Sequence, residues 1–282
     1  MTETSLPLAQ ISDATYVAPL LPVLGPPLVP VRPLFQKRIR DCLGPVGTGV
    51  TAPLQVRAED GLLYIAKHDH AEDGSTVRAA EYIWLSVARM VHIPVAEPEV
   101  LVDRDGSTFL ATRKQPNVVG DGSPNANFQG FISGRLYGCR EQLARIFAFD
   151  LFTGNGDRHP GNYLILKEGE TFVIYAIDFS HVAIHPGLPQ RFGDPATSVG
   201  CATRHFFSIF SAKYGCQASD ASDILNRLAT LRREHIASIL DSMPNDWLDQ
   251  TSRQSVLEWW SGPSPQARID QLFQGFGNGT YL

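Results

Sequence analysis

Cysteine is scarce in this 282-residue chain, and Cys42, Cys139, Cys201 and Cys216 lie far apart with no C-x-x-C pair. That spacing argues against a disulfide framework or a zinc site and suits a reducing compartment. No apolar run approaches the roughly 18 residues needed to span a bilayer. The first ten residues also lack the basic and apolar regions of a signal peptide. The expectation is a cytoplasmic protein with no membrane span. Excess positive charge is missing too: the formal net charge is −5, which argues against nucleic acid as the primary ligand. The short basic cluster from Arg32 to Arg40 reads as a solvated face. No internal repeat is evident. With 43 % hydrophobic and 19 % charged residues, the balance is globular, and the length suffices for one large domain or two lobes sharing a cleft.

Proline, by contrast, is crowded at the start. Residues 1–33 hold seven of them, from Pro7 to Pro33, too many for a helix or a central strand. The expectation is a proline-rich arm docked on the domain through residues such as Leu20, Leu21 and Leu28. From Pro53 the pattern turns regular. Leu54 to Arg57 and Leu62 to Lys67 flank Glu59-Asp60-Gly61, which predicts a β-hairpin. Apolar residues at three- and four-residue spacing predict a helix from about Thr76 to Val91, stopped before Pro94. A second hairpin is expected in Glu99–Val102 and Thr108–Ala111, turned at Asp105-Gly106. Residues 114–138, rich in Gly, Pro, Asn and Ser, read as a connector. Beyond it the spacing predicts an apolar helix from about Arg140 to Phe152, ending at Gly154. Short strands at Tyr163–Leu166 and Phe172–Ile177 follow, then a loop near 185–200 and helices to about residue 275. The fold class is α+β. A small mixed sheet domain at 34–113 precedes a mostly helical one at 114–282, and the cleft between them is the natural site.

Chemistry concentrates in Asn155-Gly156-Asp157-Arg158-His159-Pro160-Gly161-Asn162 and Ile177-Asp178-Phe179-Ser180-His181. An Asp with an Asn five residues on, then an Asp-Phe closing a strand about 20 residues later, is how kinases assemble a phosphoryl-transfer site. Asp157 on its loop would orient an attacking hydroxyl and accept its proton. Asn162 and Asp178 would offer oxygens to Mg2+, a hard ion that prefers such ligands. Each residue alone also suits an ordinary turn; the joint pattern is what points to chemistry. His159 and His181 read as loop residues that hold backbone.

Upstream, Lys67 ends an apolar strand and Glu81 lies on the helix that follows. This is the order in which a phosphate-contacting lysine and its supporting glutamate appear. Between Gly44 and Thr51 the chain is dense in glycine, and Gly47, Thr48 and Gly49 are candidates for contacting nucleotide phosphates through backbone N–H groups. The stretch is not a G-x-G-x-x-G, no Walker motif occurs, and a flexible turn is the other reading.

On these residues the chain resembles the HipA-like kinases, a compact bacterial branch in particular, and is similar to the phosphatidylinositol 3- and 4-kinases, over roughly residues 44–182. The resemblance implies a bilobal protein-kinase-like fold and ATP with Mg2+ as cofactors. It implies Asp157 as catalytic base, Asn162 and Asp178 as metal ligands, and Lys67 as the phosphate-contacting lysine. A serine/threonine protein kinase with a protein substrate is the leading expectation. A lipid or small-molecule kinase is the alternative, and a kinase-shaped binding module without turnover is the alternative of another class. The chain is shorter than full-length HipA toxins, so toxin activity does not carry over. Family behaviour also raises the expectation that Thr48 or Thr51 accepts phosphate and slows the enzyme by like-charge repulsion.

Overall fold

The computed structural model describes residues 36–46, 53–69, 77–120, 122–134, 136–180, 182–183 and 193–281. The expected arm at 1–33, the candidates Gly47, Thr48 and Gly49, Thr51 and His181 lie outside them. Five strands come first: β1 (Lys37–Pro45), β2 (Leu54–Ala58), β3 (Leu63–Lys67), β4 (Pro98–Val102) and β5 (Thr108–Arg113), with α1 (Val77–Met90) inserted after β3. They form a closed barrel in the order β1-β2-β3-β5-β4. Both expected hairpins are present, β2 pairing β3 from Leu54↔Ala66 to Arg57↔Leu63 and β4 pairing β5 from Pro98↔Thr112 to Val102↔Thr108.

The small sheet expected from the sequence is therefore a barrel, and β1 makes the difference. It runs antiparallel to β2 and, through Lys37↔Leu101 and Arg38↔Val102, parallel to β4. Two register shifts in its pairing with β2 bend it around the closure. Its signal is faint because only Ile39 is buried among charged or exposed neighbours. The residues buried inside the barrel are Ile39, Val56, Ala58, Tyr64, Ala66, Leu101 and Ala111. At one end Lys37 donates to the Tyr64 hydroxyl at 2.8 Å and ion-pairs with Glu99 of β4, so a side chain reinforces the closure.

The second part of the chain holds α2 (Pro124–Ile132), α3 (Arg140–Thr153), β6 (Tyr163–Glu168), β7 (Thr171–Ala176), α4 (Ala202–Tyr214), α5 (Ala218–Thr230), α6 (Arg233–Ser242), α7 (Gln250–Ser261) and α8 (Ser264–Gly277). Helix α2 falls inside the stretch read as a connector. Its sequence is mostly small and polar, and only Asn127 and Phe131, one turn apart, are buried. Helix α3 is the axis of this part. Leu143, Ile146, Phe147, Phe149, Leu151 and Phe152 bury residues all round it, as a helix enclosed on every side requires. It stops at Gly154, whose φ of 76° provides a left-handed cap while its N–H bonds the Asp150 carbonyl.

One hydrophobic core runs from α1 through α3, β6, β7 and the later helices, separate from the barrel interior. Helix α1 thus follows the barrel strands in sequence but buries itself in the core of the helical part. Polar contacts reinforce this seat. Arg78 donates to the carbonyl and Oγ1 of Thr108 on β5 at 2.7 and 2.9 Å, and Trp247 Nε1 donates to the same Oγ1 at 2.7 Å. Tyr82 meets the Trp247 ring edge-on, and its hydroxyl lies 2.9 Å from that of Ser242. All four cysteines are free thiols, and burial pushes Cys139 and Cys216 up to about 11. Among the described residues no helix is long and apolar enough to cross a membrane.

Thr108 is where barrel, α1 and helical part share one hydroxyl. Thr108→Val keeps the shape and removes an acceptor used by both Trp247 and Arg78, so stability should fall by about 1–3 kcal/mol, the usual cost of stranding a buried donor. Thr108→Ser should recover most of it. Urea midpoints of the two variants check this, and a Val variant as stable as the Ser variant would contradict the shared-hydroxyl account.

Candidate active site

The site is assembled around two adjoining turns. The first follows α3 and runs from Asn155 to Asn162, ending in a single 3-10 turn at Pro160–Asn162 that leads into β6. The second leaves β7 through Ile177, Asp178 and Phe179. What joins them is Arg158, only 1 % exposed, and Asp150 of α3, fully buried. Arg158 Nε and Nη2 bond the two oxygens of Asp150 at 2.8 and 2.9 Å. Its Nη1 donates to the Asn162 carbonyl at 2.8 Å and also to that of Ile177. One guanidinium therefore ties the residue before Asp178 to Asn162, and the Ile177 N–H completes the link to the Asn162 carbonyl at 3.1 Å. The planar group also lies over the Phe179 ring, 4.7 Å from its centre. Burial opposes the Asp150 charge and raises its pKa, with the Arg158 guanidinium working against that rise.

The remaining contacts fix the loop's shape. Asn155 donates to Asp150 Oδ1 at 2.8 Å, and its own Oδ1 accepts the Asp157 N–H at 3.2 Å. Thr203, at the start of α4, accepts from the Arg158 N–H at 2.8 Å and donates to the Asn155 carbonyl at 2.6 Å. The side-chain amide of Asn162 donates through Nδ2 to the Asp157 carbonyl at 2.8 Å, which sets its Oδ1 on the opposite side. His159 Nδ1 accepts from the Gly161 N–H at 3.0 Å, a backbone-holding contact of the kind expected from the sequence.

Across from the loop, Lys67 at the end of β3 places its ammonium 2.9 Å from Glu81 on α1 and 3.1 Å from Asp178 Oδ1. Glu81 Oε2 also accepts the Phe179 N–H at 3.1 Å. Asp178 has φ of 63°, a left-handed conformation uncommon outside glycine, and the Ser180 hydroxyl holds its Oδ1. Burial works against every charge here. Lys67 is nevertheless held above its ordinary value because Asp178 and Glu81 flank it. Asp178, whose side chain is 36 % exposed, is held well below the carboxylate range by Lys67 and Ser180 despite its partial burial. Glu81 is pushed up by its deeper burial. One ammonium between two carboxylates leaves an excess of negative charge on the open side.

Lys67, Glu81 and Asp178 are in direct contact, and Asp157 and Asn162 share one loop that Arg158 binds to Ile177. Asp150, Asn155 and Thr203 were not among the candidates. A signal for Asp150 existed: an acid in the apolar run from Ile146 to Phe152 needs a buried partner, and Arg158 is the nearest cation in sequence beyond the helix. Among the described residues, no group of three or more His, Cys, Asp or Glu side chains gathers for a metal.

Two solved structures share this fold. A proinflammatory kinase of Helicobacter pylori, CtkA, aligns with TM-score 0.54 and 13 % identity, covering 83 % of this chain and 94 % of its own. Shewanella oneidensis HipA, solved with HipB and operator DNA, aligns with TM-score 0.52 and 15 % identity, covering 86 % of this chain and 68 % of its own. Among curated proteins none matches by sequence. At these identities the structural likeness shows the fold alone. The HipA-like kinase family model matches residues 39–259, and the chain belongs to that family.

Arg158→Met strands the Asp150 carboxylate in the core, and breaking a buried pair from one side costs about 3–5 kcal/mol. Replacing both, as Asp150→Leu with Arg158→Met, should recover much of the stability while leaving the Asn162 and Ile177 carbonyls without their shared donor. Denaturation midpoints of the single and double variants test this. A single variant as stable as the double one would contradict the pairing.

Proposed function

We propose that this chain is an ATP- and Mg2+-dependent phosphotransferase acting on a serine or threonine hydroxyl of a protein substrate in the cytoplasm. The barrel with α1, residues 34–113, and the helical part, 114–282, serve as two lobes about the site. The observation that carries the reading is the ammonium of Lys67, supported by Glu81 of α1 and touching Asp178 at the end of β7. Strand, helix and turn from distant parts of the sequence converge there on one charge, in the chain order that a kinase site requires.

The residues fit the cofactors. Asp178 supplies a carboxylate and Asn162 an amide oxygen, a hard-oxygen pair of the size magnesium uses when phosphates and water complete its shell. The excess negative charge beside Lys67 calls for a cation, and Lys67 itself suits a phosphate oxygen. When bound, Mg2+ offsets the charge that accumulates on the transferring phosphoryl group. Asp157 orients the acceptor hydroxyl and takes its proton. The acceptor oxygen bonds to the γ-phosphorus as the bond from that phosphorus to the β-bridging oxygen breaks, and ADP leaves with the electron pair. Asn162, anchored through Nδ2 to the Asp157 carbonyl, keeps base and metal side in fixed relation. A formal charge of −5 favours a protein acceptor over nucleic acid.

Asp157→Asn is nearly isosteric and should leave ATP affinity close to wild type while lowering turnover on the order of a hundredfold or more. A variant retaining above about a tenth of the rate excludes Asp157 as the base. Lys67→Met should lower affinity for the nucleotide phosphates, Glu81→Gln less, and the double variant should be little worse than Lys67→Met alone. Calorimetric titration with ATP reads the cycle, and additive losses would show that the two side chains do not act together.

A further inference from the structure

Asn127 of α2 lies outside everything the phosphotransferase reading uses, yet it grips the same loop. It is fully buried. Its Nδ2 donates to the Pro160 carbonyl at 2.9 Å and to the Tyr163 carbonyl at 2.8 Å, with the Gly122 carbonyl farther off at 3.4 Å. Pro160 precedes Asn162 by two residues and Tyr163 follows it directly, so one amide nitrogen holds the backbone on both sides of Asn162. The chemistry is specific. A primary amide carries two N–H groups on one uncharged atom; a hydroxyl has one, and a buried ammonium would need its own counter-charge. Three acceptor carbonyls around Nδ2 fix the amide's orientation, and among the described residues Oδ1 has no hydrogen-bond partner. Asn127 therefore spends its donors on the loop at the expense of its own acceptor.

A second contact presses α2 against the same turn. A Cβ on Gly161 would come within 2.8 Å of His159 Cε1 and 2.9 Å of Pro124 Cγ, so the turn lies between the His159 ring and the first residue of α2. Ser123 sets where that helix starts, accepting the Ala126 N–H at 3.2 Å. The bonds of Arg158 hold the Asn162 carbonyl from the α3 side. Those of Asn127 hold its neighbours from the α2 side.

We propose that Asn127 is a positioning residue for the metal side of the reaction. By anchoring the Pro160 and Tyr163 carbonyls, it fixes the 3-10 turn from which Asn162 presents Oδ1. The inference rests on the phosphotransferase reading and on Asn162 as a Mg2+ ligand. Groups that orient metal ligands from behind typically contribute 10–100-fold in metal affinity, and a loss in that range is the effect expected here.

The test uses Asn127→Leu in the full chain, with two readouts. Calorimetry with ATP, with and without Mg2+, should show the metal-dependent gain in ATP affinity reduced roughly 10–100-fold, with affinity for metal-free ATP unchanged. Amide hydrogen exchange without nucleotide should rise at Gly161, Asn162 and Ile177 and stay at wild-type level in α3, α5 and the barrel. Gly161→Ala disturbs the same turn where it packs between the His159 ring and Pro124 of α2, should give both signatures, and decides the matter if the Leu variant does not fold. A folded variant with wild-type metal gain, or with exchange raised evenly over the whole chain, overturns the proposal. A wild-type protein with no metal-dependent gain contradicts the phosphotransferase reading itself, and the role of Asn127 falls with it.

Discussion

The buried pair between Asp150 and Arg158 is the interaction on which the arrangement of the site depends. Both side chains are sealed from solvent at the end of α3. A pair so placed gives little net stability, because desolvation consumes most of the attraction. Its value lies in what remains of the guanidinium after Asp150 is satisfied. The free Nη1 donor reaches two backbone carbonyls, at Asn162 and Ile177, just beyond the last ladder pair of β6 and β7, Tyr163↔Ala176. Asp150 also fixes Asn155, and Asn155 the Asp157 N–H. The three residues proposed to carry chemistry on this side, Asp157, Asn162 and Asp178, are thus set by contacts traceable to one carboxylate in the core.

The opposite side of the site is held differently. Lys67 belongs to the barrel and Glu81 to a helix whose body is buried in the core of the helical part. Their meeting depends on the seat of α1, which Tyr82, Trp247, Arg78 and Thr108 maintain. Glu81 also receives the Phe179 N–H, so the helix and the turn bearing Asp178 are joined directly. The Lys67 ammonium from β3 thus lies within hydrogen-bond distance of a carboxylate from α1 and another from the turn after β7.

Much of this was legible in the sequence, and what was not has physical causes. The two hairpins, α1 and α3 carry clear periodicity and clear stops at Pro94 and Gly154, and the Asp157–Asn162 and Asp178 spacing marks the loop. Strand β1 is not legible because a barrel strand that faces water on most of its length has one buried residue, Ile39, and no alternation to read. Helix α2 was missed because its role is local. Two buried residues one turn apart, Asn127 and Phe131, give too little apolar signal, and Pro124, Asn125 and Gly130 resemble a loop. The supporting residues Asp150, Asn155 and Thr203 act through contacts between segments remote in sequence or through backbone atoms, which residue spacing does not encode.

Family membership and geometry converge on phosphoryl transfer, and that transfer is the central claim. Incubating the purified chain with γ-labelled ATP and Mg2+, alone and with cell extract, tests it most directly. The account predicts label on polypeptide, dependent on Mg2+ and absent when Asp157→Asn replaces the wild type. Label confined to lipid or small metabolites would contradict the protein acceptor. No transfer to any acceptor by a folded, ATP-binding wild-type chain would contradict the phosphotransferase itself.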